Sequence, residues 1–450
     1  MTSTRATTTF TPAALPGYLD PAANRGAVDF RCGLLAFGVQ SLVCISDPDS
    51  VALATTLDGH RSKVTLVKWA PRPPTRCTLV SDAPLLLASA DQSGDVAIWD
   101  VQRGVALCWL SEVASAPASR GSAVLRLHWL PHRPGVLLCL HGPCTLAAYQ
   151  LREQSQSSAS TAEANTPMSF SPPSGTTPPD SSGATLLWQV QLPEAALAAA
   201  FDASAGGRLA VCCGRGGSLV QLGPLATHAP PQRISLHEKA VSGESTSGGG
   251  ALKVVSLEYS NTEADHLFVV LPREVILWDL GVGLALSSIR LDRTDHDFTA
   301  LSQTLALPSA LLFTHHDGCL SCWERVVSQR SRPGTPAAAS PPPAASEPSS
   351  AATPAMTPGS ADQRGMADVR VHFAFRSMVP LLKGGGSSLL SFAPSVPDGE
   401  RFGGISADGR VWVWRLPLSE AAANNNAMVG GVGGSLISSS GWQLMQCGLL

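Results

Sequence analysis

Long apolar runs are missing from this 450-residue chain. Nowhere does it reach the roughly 18 consecutive apolar residues that a membrane span requires. The N-terminus, Met1 to Pro12, is Thr-rich and has no apolar core of a signal peptide, so the chain is expected in the cytoplasm. Charge is scarce as well: 14% of residues are Asp, Glu, Lys or Arg, and 31 basic against 34 acidic residues leave a net charge of −3. No Lys/Arg cluster of the kind that tracks phosphates is present, and nucleic acid is not an expected partner. Phosphate-binding loops are absent too. Gly214-Arg215-Gly216-Gly217 and Lys383-Gly384-Gly385-Gly386 have neither Walker spacing nor a strand-to-helix setting, so both read as turns or flexible tips. No activated nucleophile, acid–base pair or cofactor motif can be located, which argues against an enzyme and gives no cofactor to expect.

What the chain does have is apolar residues, 44% of the total, enough for a large core, together with 41 Gly and 35 Pro. The Gly and Pro fall partly at turns and partly in discrete low-complexity blocks. Eleven cysteines, an odd number, sit mostly in apolar stretches such as those holding Cys44, Cys108, Cys139, Cys212 and Cys213. There they read as small hydrophobes of a reducing compartment.

The clearest pattern runs from Asp58-Gly59-His60 to Trp99-Asp100. A Gly-His pair is followed by the alternating Val64-Thr65-Leu66-Val67-Lys68-Trp69, the apolar run Leu85 to Ala90, the turn Asp91-Gln92-Ser93-Gly94, and Val96-Ala97-Ile98-Trp99-Asp100. Gly59 to Asp100 is 42 residues, inside the roughly 40 to 45 of a four-stranded propeller blade. Apolar residues on both sides of each strand suit a sheet buried between neighbouring blades. The segment resembles a WD repeat. That resemblance implies a hydrogen-bonded structural tetrad of His60, Ser89, Asp91 and Trp99, in which each buried polar group finds a partner. A catalytic triad is the competing interpretation of His, Ser and Asp, but no Gly-x-Ser-x-Gly surrounds Ser89.

A turn residue followed five positions later by a large apolar one serves as a ruler for third strands. It gives Gln40 to Ile45, Gly94 to Trp99, Cys144 to Tyr149, Gly217 to Leu222, Arg273 to Trp278, Gly318 to Trp323 and Gly409 to Trp414. The spacings are 54, 50, 73, 56, 45 and 91 residues. Removing the 33 residues of 152–184 and the 39 of 328–366 reduces the two long spacings to 40 and 52. The expectation is an all-β, seven-bladed WD40-type β-propeller over residues 1–418, with 419–450 a low-complexity linker and terminal strand. Segments 152–184, 223–250, 328–366 and 419–440, rich in Ser, Thr, Pro, Gly and Ala, read as disordered insertions, although Gln232 to Leu236 is expected to supply an outer strand. Ala-rich Glu194 to Phe201 has helical propensity, but its place in the repeat predicts a strand. Ring closure is expected from Thr7 to Pro12, pairing outside Val411 to Leu416, with Gly441 to Leu449 as the competitor. Only the second blade carries both ends of the signature; Trp278 keeps its Asp279, while Trp323 and Trp414 keep only the Trp.

Beyond the generic repeat, the order of features resembles the N-terminal propeller of the WD repeat-containing protein eleven family, a large subunit of a Golgi and endosome trafficking complex. The residues that carry it are Gly26-Ala27-Val28-Asp29-Phe30, Leu34-Leu35-Ala36-Phe37-Gly38, Lys68-Trp69-Ala70 and Leu87-Ala88-Ser89-Ala90-Asp91. Leu271-Pro272-Arg273-Glu274-Val275-Ile276-Leu277, His316-Asp317-Gly318-Cys319 and Ser406-Ala407-Asp408-Gly409-Arg410-Val411 extend it. The Leu-Pro-Arg-Glu turn is not a general WD feature and sharpens the match. Family members are far longer, with a second propeller and a helical C-terminal region, and functions of those parts are not carried over. The resemblance implies a non-enzymatic scaffold binding trafficking-complex subunits and vesicle or golgin-associated factors, recruited peripherally to trans-Golgi and endosomal membranes without direct membrane insertion, with room for a nuclear pool.

The alternative is a substrate receptor of a ubiquitin ligase or a signalling adaptor. Such receptors often show Trp-Asp-x-Arg, whereas Trp99-Asp100-Val101-Gln102-Arg103 has its Arg one place late. Cys319-Leu320-Ser321-Cys322 after His315-His316 resembles half a zinc site, but no second ligand pair accompanies it and strand alternation points the two thiols apart, so no metal is expected. The Ser/Thr-Pro pairs at Thr166, Ser171, Thr177, Thr335, Ser340, Thr353 and Thr357 are open to proline-directed kinases, yet such pairs also arise from composition.

Overall fold

The computed structural model describes residues 17–47, 52–71, 84–112, 122–131, 133–142, 144–152, 183–192, 194–202, 208–213, 218–222, 232–235, 254–291, 297–329, 369–382, 388–396, 399–415 and 443–448. Apart from the short 3-10 helices Asn24–Gly26 and Leu110–Glu112, the regular structure described is strand. In chain order come β1 (Val28–Arg31), β2 (Leu34–Val39), β3 (Leu42–Asp47) and β4 (Ala52–Leu57), then β5 (Val64–Trp69), β6 (Leu86–Asp91), β7 (Val96–Asp100) and β8 (Val105–Trp109). Next are β9 (Val124–Trp129), β10 (Val136–His141), β11 (Thr145–Leu151) and β12 (Ala184–Gln191), followed by β13 (Ala196–Phe201), β14 (Leu209–Cys213), β15 (Ser218–Leu222) and β16 (Gln232–Ser235). The chain continues with β17 (Ser256–Tyr259), β18 (His266–Val270), β19 (Glu274–Asp279) and β20 (Leu284–Arg290), then β21 (Phe298–Thr304), β22 (Leu307–His315), β23 (Cys319–Gln329) and β24 (Val369–Pro380). The last four are β25 (Leu389–Val396), β26 (Arg401–Ser406), β27 (Val411–Arg415) and β28 (Gln443–Gly448).

Five sheets are four-stranded antiparallel meanders, and one is eight-stranded, in the order β28-β27-β26-β25-β1-β2-β3-β4. The large sheet is two four-strand units joined through a parallel pair in which Phe30 lies opposite Ser395 and Arg31 opposite Val396. Burial explains the sequence pattern. Second and third strands such as β7, β10 and β14 are buried at every residue, because a neighbouring sheet covers each face. A fourth strand such as β20 is exposed at alternate residues. First strands touch in succession: β1 with β5, β5 with β9, β9 with β13, β13 with β17, β17 with β21, β21 with β25, and β25 with β1. They therefore surround the middle, and the fourth strands lie outside. The fold is an all-β propeller.

The third strands fall where the ruler put them, and the Ala-rich segment 196–201 is a strand paired with β14. The repeat overrides its helical propensity because both faces of the strand are covered: Ala198 and Ala200 pack into one core cluster and Ala199 into another. Closure differs from expectation. The strand outside β27 is β28, with Trp412 opposite Cys447 and Arg415 opposite Gln443, so the C-terminal competitor takes the place given to Thr7–Pro12, which lies outside the described residues. β16 occupies residues 232–235, where an outer strand was expected within 223–250, and β23 runs to Gln329, past the expected start of the insertion 328–366. Of 152–184, Arg152, Gly183 and Ala184 are described, Ala184 as the start of β12; the remainder of the four insertions, and all seven Ser/Thr-Pro pairs, lie outside the described residues.

Polar clamps join neighbouring units. Asp29 accepts from Lys68 Nζ at 2.8 Å and from the Trp69 amide at 2.8 Å, tying β1 to β5. Arg208 donates to Asp202 at 2.9 Å through Nε and also bonds Asp265 of the β17–β18 turn. Its guanidinium lies over the Tyr259 ring, 5.8 Å from the centroid.

Candidate functional site

The polar constellation expected of the second four-strand unit is assembled from three places. His60 precedes β5, Ser89 and Asp91 stand two apart on β6, and Trp99 is on β7 opposite Leu87. His60 Nδ1 lies 3.1 Å from Asp91 Oδ2, and His60 Nε2 lies 2.6 Å from Ser89 Oγ. The Trp99 indole N–H donates to Ser89 Oγ at 2.7 Å. One proton arrangement satisfies every group: Nδ1–H donates to Asp91, Nε2 accepts the Ser89 hydroxyl proton, and Ser89 oxygen accepts from Trp99. Asp91 uses its other oxygen to accept the Ser93 amide at 2.9 Å, the Ser93 hydroxyl at 2.6 Å and the Asp95 amide at 3.1 Å. Burial alone would raise the Asp91 carboxyl, but the bonds from His60 and Ser93 outweigh it and hold it below its ordinary range.

Two glycines permit this packing. A Cβ on Gly59 would come within 3.2 Å of both the Trp99 and Trp109 rings, so the Gly of Gly-His lets two indoles close over the histidine. Gly94 takes a left-handed φ of 89° in the turn after Asp91, where a Cβ would collide with the Ser122 carbonyl. Trp109 stacks edge-on to His60 at 5.1 Å and to Trp99 at 5.9 Å. Sequence reasoning missed Trp109; its one signal was a large aromatic in the fourth strand of the same repeat.

Chemically the arrangement is closed. Ser89 and Asp91 are 0% exposed, so the Ser89 hydroxyl, already shared between an imidazole and an indole, has no open side for a substrate carbonyl. His and carboxylate here satisfy one another.

Two further constellations stand in units that the sequence credited with a Trp alone. His315 Nε2 lies 2.7 Å from Ser321 Oγ, which also accepts the Trp323 indole N–H at 3.1 Å. In the last unit Ser406 bonds Asp408 and accepts from the Trp412 indole at 2.7 Å. There Trp412, not Trp414, makes the bond. The available signal was Ser406-Ala407-Asp408, which repeats Ser89-Ala90-Asp91 letter for letter; Ser321 is preceded by no such repeat. The Trp278 and Trp414 indole nitrogens have no hydrogen-bond partner among the described residues.

Cys319 and Cys322 stand on β23, with Cys322 buried and Cys319 half-buried. Burial pushes both thiols up to about 12, so without a bound metal they stay protonated at neutral pH. Among the described residues no group of three or more His, Cys, Asp or Glu converges as a metal site would require.

Residues 21–160 match the family model described as WDR11 first beta-propeller. Over 315 residues the chain is 26% identical to WD repeat-containing protein 11 of Homo sapiens, and over 334 residues 23% identical to that of Danio rerio. Each match takes in 66% of this chain and 24% of the relative, so the chain spans about a quarter of the length of these curated relatives. A chain of the solved structure titled "Crystal Structure of Mitotic Checkpoint Complex" superposes with a TM-score of 0.55 at 14% identity, covering 92% of this chain and 98% of that one. That likeness is one of fold.

Proposed function

Because the chain carries a first propeller of the WD repeat-containing protein 11 family, we propose that it is a non-enzymatic protein-interaction scaffold, the propeller subunit of a vesicle-tethering or trafficking complex at the trans-Golgi network and endosomes. The observation that carries the scaffold reading is the closed state of the His60, Ser89 and Asp91 cluster: Ser89 and Asp91 are fully buried and every polar group in the cluster is bonded. The tetrad His60, Ser89, Asp91 and Trp99 is then a structural rivet. Family identity supports the trafficking role.

The architecture proposed is a ring of seven four-strand blades. The succession of first strands from β1 through β25 and back to β1 supports it, as does the main-chain bond from the Cys32 amide to Val396 O at 2.7 Å across the seam. The propeller domain then extends to Gly448. Partners are trafficking-complex subunits and vesicle or golgin-associated factors, bound by loops and rims. No described helix is long and apolar enough to cross a membrane, and recruitment to membranes is assigned to proteins.

Affinity capture with identification of bound proteins tests this. The tagged chain should recover trafficking-complex subunits, more strongly when joined to the rest of a full-length relative. Stable capture of a ubiquitin-ligase adaptor with no trafficking factor would replace the scaffold by a substrate receptor.

A further inference from the structure

One strand pair outruns its neighbours. β23 and β24 stay in register from Cys319 opposite Pro380 to Gln329 opposite Val369. On the other edge of β23, β22 keeps pace only from Thr314 opposite Leu320 to Ala310 opposite Glu324. Before Ala310 it turns aside, because Pro308 has no amide to donate and Leu307 pairs back with Thr304 of β21. The main-chain groups of Arg325–Gln329 on the side away from β24 therefore meet no described strand. An open edge of this kind accepts an added strand. Val327, beside it, is 51% exposed.

A cleft opens at the head of that edge. Ser309 of β22, Arg325 of β23 and Phe373 of β24 line it, together with His266 and Phe268 of the preceding unit. Its enclosed depth is about 10 Å³, room for one water-sized group, so it takes an oxygen atom and not a side chain. Donors are left over around it. Arg325 Nη1 donates to Glu263 at 2.9 Å and to Thr262 at 3.5 Å, while its Nε and Nη2 have no partner among the described residues. The His266 ring and the Ser309 hydroxyl are likewise unbonded among the described residues. Glu263 itself is half-exposed and free to swing away.

Edge and cleft together select an occupant. A strand laid on β23 from Gln329 toward Arg325 cannot continue past Glu324, since β22 already fills that edge. It ends at the cleft. A chain that began there would set an ammonium against the Arg325 guanidinium, whereas a chain that ends there sets a carboxylate against it.

We propose that the open edge of β23 takes the C-terminal tail of a partner protein as an added antiparallel strand, its terminal carboxylate received by Arg325 and an apolar residue two positions before its end lying against Val327. A forked guanidinium suits a carboxylate. Residues two apart on a strand share a face, so Arg325 and Val327 read the last residue and the one two before it. The site rests on the scaffold reading above for its class of partner.

Titration calorimetry of the whole chain with the peptide acetyl-Lys-Thr-Thr-Thr-Val-Thr-Ala, once as the free acid and once as the C-terminal amide, tests it. The expected result is saturable binding of the free acid and binding of the amide weaker by roughly tenfold or more. Arg325→Gln should abolish that preference. Glu263→Gln, which removes the carboxylate competing for Arg325, should tighten the free acid several-fold and leave the amide unchanged, a gain that a damaged fold does not produce. Equal binding of acid and amide, which makes the occupant an internal strand, overturns the site. So do a preference that survives Arg325→Gln, a Glu263→Gln chain that binds the acid no better, and binding of neither peptide, as when a second copy holds the edge. The assay needs no trafficking subunit. A failed site with trafficking factors still captured leaves the scaffold, and failed capture with peptide binding intact removes only the trafficking role.

Discussion

Ser89 Oγ receives the Trp99 indole N–H at 2.7 Å while standing 2.6 Å from His60 Nε2, with the serine fully buried. Replacing Ser89, His60 or Asp91 by Ala strands buried partners, at about 1–3 kcal/mol for each substitution. Denaturant melts should show a lower midpoint, and a double His60→Ala, Asp91→Ala variant should lose less than the sum, since both belong to one network. Unchanged stability with lost partner binding would instead make the tetrad a binding site.

Acid should destabilise this chain in part through His141, one of its buried histidines. His141 is 3% exposed, its two ring nitrogens have no partner among the described residues, and burial lowers it to about 4. The unfolded chain titrates this group near 6.5, so between those values it binds the proton that the fold refuses. Stability is accordingly lost as pH falls from about 6.5 to about 4. Melts across that window should flatten in His141→Leu; an equal slope in the variant would place the acid sensitivity elsewhere.

Asp91 acts in a lower window. Its carboxyl is depressed in the fold, so its contribution is fully present above the unfolded value near 3.9 and is lost as pH falls through the folded one. Asp91→Asn should lower stability at neutral pH and converge with the parent in strong acid. A constant gap at every pH would mean that the ionised form contributes nothing.

Ring closure by β28 gives a truncation test. Removing residues 441–450 uncovers the edge of β27, beside the buried Trp412 and Trp414, and should lower the thermal midpoint by several degrees. Removing residues 1–12 should change it little. The reverse outcome would restore the N-terminal closure that composition suggested.

Much of the fold was legible because propeller strands repeat at a near-constant interval, and burial on both faces writes apolar residues into β6, β7, β10 and β14. The repeat even overrode the helical propensity of residues 196–201. Where reasoning failed, the decisive partner was remote in sequence. β28 reaches β27 across 27 intervening residues, and nothing in Gln443–Gly448 alone outranks Thr7–Pro12 as a strand. Trp414 lies opposite Phe402 as Trp99 lies opposite Leu87, but two residues on stands Gly404 where the second unit has Ser89, so the Trp414 indole finds no hydroxyl and the bond to Ser406 comes from Trp412. Arg208 could not be linked to Asp265 in advance, because that contact exists only once two units stand side by side.

Membrane flotation tests the central claim most directly. The purified chain is mixed at physiological salt with trans-Golgi and endosomal membranes, with the same membranes stripped of surface protein by protease, and with protein-free anionic liposomes. A scaffold recruited by proteins floats with the intact membranes when its partner subunits are supplied, and stays behind with the stripped membranes and the liposomes. Flotation with protein-free anionic liposomes at that salt would contradict recruitment by protein partners.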